Sequence, residues 1–277
     1  MIPAYTMDFA CRDSEPLQQL LNDLYDYRDD VETKVLHRCR LHLFRELVQR
    51  LVKAGEIRRF GRALDIGCNA GYYSKLISDF GFATVVGVDI VDEYVQKARA
   101  TFGSEEDGRR IEFRTLNAED LDPRETFDFI LCTEVIEHTS SPQRVIENIS
   151  RMLGPGGVAV VTLPNRVSLP YSWSLLTHRL KGKPIDPVLR DHLSYPFYRS
   201  MRLFDGRGLR LIDTTGTNLF LFGPTLSFLH SKPGFAAMGR FNYALSRMWP
   251  FKYMAQFFFM ALKRVETVRA GDTEHRA

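Results

Sequence analysis

The sequence predicts an α/β protein built on a doubly wound, mostly parallel sheet of seven strands. Two observations predict this class. Short apolar segments alternate with segments of helical periodicity through the middle of the chain, a pattern typical of parallel sheets covered by helices on both faces. A glycine-containing turn from Gly67 to Gly71 also joins the first apolar segment to the first of these helices. A chain of 277 residues is long enough for one large domain with embellishments.

Residues 1–60 are predicted to form an N-terminal helical cap. Leucines recur there at helical spacing, first from position 17 to 24 and again at Leu43, Leu47 and Leu51. We expect this cap to cover one sheet edge or the ligand. The N-terminus has neither the basic start nor the apolar core of a signal peptide, and no stretch approaches the ~20 apolar residues that span a bilayer.

The core is predicted over residues 61–217, where strands and helices alternate. The strands are expected at Ala63–Gly67, Thr84–Asp89, Ile111–Leu116, Phe127–Cys132 and Val158–Leu163, with helices at Tyr73–Asp79, Asp92–Phe102 and Pro142–Leu153. The run Gly154-Pro155-Gly156-Gly157 reads as the turn from the last of these helices into the fifth strand.

Two insertions are predicted, one before and one after the sixth strand. The first covers residues 166–195 and is followed by a helix at Phe197–Asp205 and the sixth strand at Leu209–Thr215. The second lies within residues 218–265, an apolar segment that ends in the seventh strand at Ala255–Lys263. Residues 266–277 are expected to form a polar tail.

Net charge and cysteine content limit the partners and the cellular compartment that we expect. The net charge of +3 comes from interleaved basic and acidic residues, so it gives no reason to expect a nucleic-acid partner. The cysteines Cys11, Cys39, Cys68 and Cys132 form neither a CxxC pair nor a metal-ligand spacing. They are typical of reduced thiols, and we predict a cytoplasmic protein.

The residues from Asp65 to Gly71 indicate a nucleotide site. Gly67 and Gly71 lack a Cβ atom, so the backbone can turn sharply and a ligand can approach it closely. Asp89 closes the second strand, where a carboxylate accepts two hydrogen bonds from a ribose diol. Asp65 precedes the loop and would repel a pyrophosphate, so the pattern favours a cationic or zwitterionic ligand.

The run Asp65-Ile-Gly-Cys-Asn-Ala-Gly71 resembles motif I of the class I S-adenosylmethionine (SAM) dependent methyltransferases, usually Asp-x-Gly-x-Gly-x-Gly. The resemblance implies a Rossmann-like fold, a loop that cradles the methionine moiety of SAM, and an acid that holds its ribose. Asn69 replaces the middle glycine, and because Asn tolerates positive φ, we expect the loop to form. The cofactor contacts this implies are Asp65, Gly67, Cys68, Asn69, Gly71, Asp89, Ile90, Asn117, Ala118, Glu119 and Thr133.

A second motif follows the fourth predicted strand. Glu134, Glu137 and His138 stand at i, i+3 and i+4, a spacing that places all three on one face of a helical turn. Two roles are open. His138 can act as general base for a hydroxyl nucleophile with Glu134 or Glu137 orienting it, or the three side chains can bind a divalent metal.

This Glu-x-x-Glu-His pattern resembles that of the ubiquinone-pathway O-methyltransferases. It is also similar to the small-RNA 2′-O-methyltransferases, where the same three residues and a downstream histidine bind a metal. His192 is the downstream candidate, and the metal would be Mg²⁺ or Zn²⁺. Many methyltransferases carry a Glu-His pair without any metal, so a site of Glu134, Glu137, His138 and His192 remains one alternative.

The function predicted from these motifs is SAM-dependent methylation of a small molecule, with a hydroxyl group as acceptor. Aromatic residues at positions 219–259 either belong to the core or form a pocket for an apolar or aromatic acceptor. Basic residues beside them, such as Arg240, Arg247 and Lys252, allow at most peripheral membrane contact. The alternatives are a metal-dependent RNA 2′-O-methyltransferase, a non-catalytic binding subunit of the same fold and a nicotinamide dehydrogenase. Oligomeric state is left open.

Overall fold

An eight-stranded sheet organises the chain. The computed structural model describes residues 31–106, 108–182, 196–217, 219, 241 and 244–265. The predicted helical repeat at positions 17–24, His192, most of the aromatic residues between 218 and 243, and the tail 266–277 lie outside the described residues. No helix within the described ranges is long and apolar enough to cross a membrane.

The elements follow one another in the predicted alternation. The helices are α1 (Val31–Lys53), α2 (Tyr72–Asp79), α3 (Asp92–Phe102), α4 (Pro142–Met152), α5 (Leu169–Leu180) and α6 (Phe197–Arg202). The strands are β1 (Arg62–Ile66), β2 (Thr84–Asp89), β3 (Ser104–Glu106), β4 (Arg109–Thr115), β5 (Phe127–Cys132), β6 (Leu153–Pro164), β7 (Leu209–Thr217) and β8 (Phe257–Arg264). Short 3₁₀ helices lie at Ala118–Asp120, Ile136–His138 and Phe251–Met254.

The strand order in the sheet is β3-β4-β2-β1-β5-β6-β8-β7. The central strands β4, β2, β1, β5 and β6 are parallel, whereas β8 runs antiparallel to both β6 and β7. The α/β class and the seven predicted strands are confirmed. The additional strand β3 pairs antiparallel with β4 at the sheet edge. Its sequence, Ser-Glu-Glu, has no apolar pattern from which a strand could be predicted.

The boundary before β6 differs from the prediction. Strand β6 begins at Leu153, which pairs with Phe127, and the next paired residues are Phe129 and Val158. The predicted turn from Gly154 to Gly157 is therefore an irregular part of the strand, where the register shifts. The positive φ of +73° at Gly156 allows the chain to bulge at this point.

Helix α1 packs directly on the sheet through the leucines that predicted it. Leu43, Leu47 and Leu51 are buried in a cluster that also contains sheet residues such as Phe129. Phe44 stands at the centre of this cluster, 5.2 Å from the ring of Tyr73, 6.5 Å from Phe129 and 5.9 Å from Phe259. Domain limits at residues 60 and 217 remain predictions.

The opposite face of the sheet is covered by α4, α6 and the two 3₁₀ helices that follow β4 and β5, which share a second apolar cluster. The chain runs outward from β1 to β2 and β4 and then returns to β5, on the other side of β1. Connections therefore diverge between β1 and β5, and open α/β sheets bind ligands at the carboxyl ends of strands beside such a point.

Candidate functional site

A cavity of about 620 Å³ opens at the carboxyl ends of β1, β2 and β5. The predicted site residues that line it are Gly67, Cys68, Asn69, Asp89, Ile90, Asn117, Ala118, Glu119, Thr133, Glu134 and His138. Three further predicted residues, Asp65, Gly71 and Glu137, do not line it. His192 lies outside the described residues.

The loop after β1 owes its shape to three residues with left-handed backbone. Gly67, Asn69 and Gly71 have φ angles of +76°, +47° and +89°. A Cβ atom on Gly67 would lie 2.2 Å from Cγ2 of Val135, so this glycine is required both by its conformation and by close packing. Asn69 adopts the positive φ expected of it, and its side-chain carbonyl accepts a hydrogen bond of 2.6 Å from the Ala70 N–H.

Asp89 fastens this loop to the end of β2. One carboxylate oxygen accepts from the Asn69 N–H at 2.9 Å and the other from the Val91 N–H at 3.0 Å. A carboxylate offers about four acceptor positions, so two remain for hydroxyl groups of a ligand in the cavity. The same side chain therefore shapes the loop and presents a negative charge to the ligand.

Asp65 lies beneath the loop rather than in the cavity wall. It is fully buried, and it accepts a 2.6 Å hydrogen bond from Oγ of Ser74 on α2. Burial raises the pKa of Asp65 to about 7. Among the described residues its Oδ1 has no hydrogen-bond donor. Through this hydrogen bond Asp65 joins β1 to α2 and stabilises the loop between them.

Asn117 and Glu119 organise the segment after β4. The side-chain carbonyl of Asn117 caps the 3₁₀ helix by accepting a hydrogen bond of 3.0 Å from the Glu119 N–H. The Glu119 carboxylate accepts from the N–H groups of Ser140 and Ser141 at 2.7 and 3.2 Å. Two segments that line the cavity, one after β4 and one after β5, are joined by this contact.

The two described cysteines in the core are free, and both are buried. Cys68 lies in the loop and lines the cavity, while Cys132 ends β5. Burial raises the pKa of both thiols, so they remain protonated.

The other end of the cavity contains an ion pair that the sequence reasoning missed. Nη2 of Arg40, on α1, lies 2.8 Å from Oε1 of Glu134. Arg40 is only 6% exposed, and its guanidinium carbon lies 5.2 Å from the centroid of the Phe257 ring. The signal was present in the helical period, since position 40 stands on the same face as the buried Leu43 and Leu47. A cation at a core-facing position needs a partner, and Glu134 supplies it.

Glu134 itself has a positive φ of +53°, and its N–H donates to Oγ1 of Thr162 on β6 at 2.8 Å. Tyr73 on α2 lines the same part of the cavity. Burial raises the pKa of Tyr73 to about 12, so its hydroxyl keeps its proton and can donate a hydrogen bond. This end therefore combines a cation, a carboxylate and a phenol.

The expectation that Glu134, Glu137 and His138 share one helical face is not met. Glu134 precedes the single 3₁₀ turn Ile136–His138, and adjacent residues of such a turn point about 120° apart. His138 is exposed and lines the cavity, whereas Glu137 is 8% exposed and faces the interior. Burial raises the pKa of Glu137 to about 8, so this carboxyl group holds a proton at neutral pH.

The described residues do not assemble the predicted metal site. Glu134 is engaged by Arg40, and Glu137 lies outside the cavity wall. Across the described ranges no group of three or more His, Cys, Asp or Glu side chains is arranged to hold a metal ion.

Comparison with known families identifies this architecture. Residues 36–213 match the family model described as a methyltransferase domain, which is more than half of the chain. The chain belongs to this methyltransferase-domain family. The match begins within α1 and ends within β7, so it includes Arg40 together with every described residue of the cavity.

Curated relatives carry a more specific name. The chain is 37% identical over 105 residues to a ubiquinone biosynthesis O-methyltransferase of Bradyrhizobium diazoefficiens, which covers 38% of this chain and 40% of that protein. It is 28% identical over 144 residues to the protein of that name from Rickettsia conorii, covering 52% and 47%. The chain thus spans about half the length of these relatives, or less.

Solved structures support the methyltransferase fold. Magnesium protoporphyrin IX methyltransferase of Synechocystis PCC 6803, solved with bound SAH, aligns with a TM-score of 0.59 at 13% identity. The alignment covers 91% of this chain and 94% of that one. At this identity the likeness shows the fold alone.

Proposed function

We propose that the chain is a SAM-dependent methyltransferase that methylates a hydroxyl group of a small molecule. The observation that carries the proposal is a single cavity with two chemically distinct ends. The positive-φ loop and the Asp89 carboxylate line it after β1 and β2, Glu134 lines it after β5 beside Arg40, and His138 lines the same cavity. Family membership and the names of the curated relatives agree with this reading.

The residues at the Asp89 end fit a nucleoside with a cationic amino-acid moiety. The Asp89 carboxylate has acceptor positions left for a ribose diol, and Ile90 and Ala118 offer apolar contacts for a base. Gly67 has no Cβ atom, so a ligand can approach the loop backbone closely. When bound, SAM supplies an electrophilic methyl group on a sulfonium.

His138 is the proposed general base. It lines the cavity and is exposed, so it can take the proton of an acceptor hydroxyl and pass it to solvent. Nη2 of Arg40 lies 2.8 Å from the Glu134 carboxylate, so a negative group lines the same cavity as the imidazole. Glu137 is assigned a supporting role, because it is buried away from the cavity.

The acceptor is proposed to be small and apolar or aromatic. The cavity volume of about 620 Å³ lies in the range of small-molecule sites. Tyr72, Tyr73, Tyr94 and Leu116 supply apolar walls. The balanced charge of the chain does not favour RNA as the acceptor. Cytoplasmic location remains part of the proposal and rests on the free thiols of Cys68 and Cys132.

Calorimetric titration with S-adenosylhomocysteine tests the cofactor assignment. We expect wild-type binding in the micromolar range and a loss of at least about tenfold in Asp89→Asn, because an amide cannot accept at both oxygen positions. Glu93→Gln is the matched control, since it makes the same charge change at an exposed position outside the cavity. Absence of binding by the wild type, or an equal loss in both variants, would reject the assignment.

Methyl transfer to a panel of catechols and phenols tests the acceptor chemistry. We expect His138→Gln to lower kcat by about 10²-fold or more, with S-adenosylhomocysteine affinity unchanged. If the variant transfers methyl groups at the wild-type rate, His138 is not the base. Transfer to RNA oligonucleotides but to no small hydroxyl compound would select the RNA alternative.

A further inference from the structure

Thr162 is the one polar residue in the apolar run of β6. Residues 158–163 read Val-Ala-Val-Val-Thr-Leu. Because side chains alternate between the two faces of a strand, Thr162 stands on the same face as Val158 and Val160, which belong to the apolar cluster under helix α1. Thr162 is fully buried. A hydroxyl group at such a position is costly unless it has a hydrogen-bond partner.

The partner of this hydroxyl is the backbone of Glu134. The parallel pairing of β5 with β6 ends at Cys132 and Val161. Two residues beyond Cys132, the Glu134 N–H donates to Oγ1 of Thr162 at 2.8 Å. The threonine side chain therefore continues the connection between the two strands after their backbone pairing has ended, at the point where the chain leaves the sheet.

This hydrogen bond acts on a strained part of the backbone. Within the described residues, Asn69 and Glu134 are the non-glycine positions with positive φ, and Glu134 has a φ of +53°. Asn tolerates this conformation better than Glu does. Its cost in Glu is of the same order as the contribution of one hydrogen bond. Residues in such conformations persist only where their surroundings hold them, and Thr162 provides that restraint.

The left-handed conformation of Glu134 directs two side chains. Oε1 of Glu134 lies 2.8 Å from Nη2 of Arg40 in the wall of the cavity. Cγ2 of the next residue, Val135, lies where Gly67 lacks a Cβ atom, 2.2 Å from the position that this atom would occupy. A negative φ at Glu134 would rotate both side chains relative to β5, so neither contact would remain as it is.

We propose that Thr162 is a positioning residue of the site. Its hydroxyl holds the Glu134 backbone in the left-handed conformation and thereby keeps the Glu134 carboxylate in the cavity wall against Arg40. Thr162 is fully buried and is not among the residues that line the cavity, so it acts on a ligand through Glu134. The effect of Thr162 on methyl transfer rests on the proposed function, whereas its effect on the ion pair does not.

A first test measures the ion pair without any substrate. Thr162→Val keeps the branched shape of the side chain and removes the acceptor. The coupling energy between Arg40 and Glu134 is obtained by urea denaturation of Arg40→Met, Glu134→Gln and the double variant, once with Thr162 intact and once with Thr162→Val. We expect the coupling to fall by at least about half when the acceptor is removed. An unchanged coupling, whatever its size, would overturn the proposal.

A second test measures methyl transfer to a hydroxyl acceptor. We expect Thr162→Val to lower kcat/KM at least about tenfold, because small displacements of a group in the site reduce the rate strongly. Thr162→Ser keeps the acceptor and should remain within about threefold of wild type. Thr214→Val is the matched control. It also loses a buried hydroxyl hydrogen bond, from Oγ1 of Thr214 to the Phe259 carbonyl at 3.0 Å on β7 and β8, and it should keep the wild-type kcat/KM.

Combining the variants separates positioning from general destabilisation. With Glu134→Gln already present, we expect Thr162→Val to lower kcat/KM by no more than a further factor of about two, since the hydroxyl acts through the carboxylate. A full tenfold further loss, or an equal loss in Thr214→Val, would overturn the proposal. If the wild type transfers no methyl group but Thr162→Val weakens the ion-pair coupling, the proposed function fails and the positioning role of Thr162 is supported.

Discussion

At the Asp89 end of the cavity, backbone conformation and backbone hydrogen bonds carry the geometry, whereas side chains from distant segments carry it at the Arg40 end. The loop bends through three positive φ angles, and Asp89 holds it by two N–H groups. At the other end, the Arg40–Glu134 pair joins α1 to the segment after β5, and Thr162 of β6 holds the Glu134 backbone.

The two ends therefore depend on the sequence in different ways. Positive φ angles and short turns depend on residue types a few positions apart, so the bends of the loop at the Asp89 end are encoded locally. An ion pair between α1 and the segment after β5 exists only once the sheet and helix α1 are assembled. Substitutions at the first end should therefore act through backbone strain, and substitutions at the second through charge and burial.

The largest effect is expected for Gly67→Ala. The new Cβ would lie 2.2 Å from Val135 at a φ of +76°, so strain and overpacking add to about 3 kcal/mol of lost unfolding free energy. Gly206→Ala is the control, since Gly206 has a similar φ of +72° but no atom within 4 Å of the added Cβ, and should cost about 1 kcal/mol. Urea denaturation measures both, and equal costs would show that contact with Val135 is unimportant.

The site residues show which features of the two ends could be predicted from the sequence. The loop, Asp89 and the left-handed Asn69 were predicted because glycine spacing and the strand end are local signals. The shared helical face of Glu134, Glu137 and His138 was not found, because residue spacing alone does not tell a long α-helix from one 3₁₀ turn. Arg40 was missed because its partner is distant in the sequence.

The strands likewise divide into those that the sequence predicts and those that depend on pairing with a neighbouring strand. Each long strand carries an apolar run and was predicted, while the edge strand β3 carries none. The start of β6 was misplaced because glycines and a proline normally end a helix and open a turn. Here the pairing of Leu153 with Phe127 extends the strand through them, which only the neighbouring strand determines.

The next effect concerns the ion pair and should be asymmetric. Glu134→Gln removes the carboxylate from an almost fully buried Arg40 side chain, and we expect a cost of about 3 kcal/mol. Arg40→Met leaves a Glu134 side chain that is one third exposed and still solvated, so we expect about 1 kcal/mol. Denaturation of both single variants and the double variant gives the coupling energy. A larger cost for Arg40→Met would contradict this account of the pair.

Two carboxyl groups are buried behind the cavity wall, Asp65 beneath the loop and Glu137 in the turn after β5, and both should make stability fall as pH rises. The folded pKa of Glu137 is raised from 4.5 to about 8, and that of Asp65 from 3.8 to about 7. Between those limits the unfolded chain releases a proton that the folded chain keeps, which costs up to about 1.4 kcal/mol per pH unit for each group.

The stabilising contributions of Asp65 and Glu137 are lost over different pH ranges. We expect Asp65→Asn to flatten the slope of unfolding free energy below about pH 7, whereas Glu137→Gln also flattens it between about pH 7 and 8. Urea titrations at intervals of pH measure both slopes. If neither substitution changes the slope relative to wild type, the two carboxyls ionise with ordinary pKa values and this account is wrong.

The smallest effect is expected where the loop departs from its usual motif. Asn69 already adopts a φ of +47°, so Asn69→Gly removes little strain and loses one hydrogen bond to the Ala70 N–H. The two changes oppose each other, and we expect unfolding free energy to change by less than about 0.5 kcal/mol. Asn69→Ala keeps a Cβ without the compensating carbonyl and should cost about 1 kcal/mol. If Asn69→Gly weakens S-adenosylhomocysteine binding as strongly as Asp89→Asn, the Asn69 side chain contacts the ligand, and the Asp89 end does not depend on backbone alone.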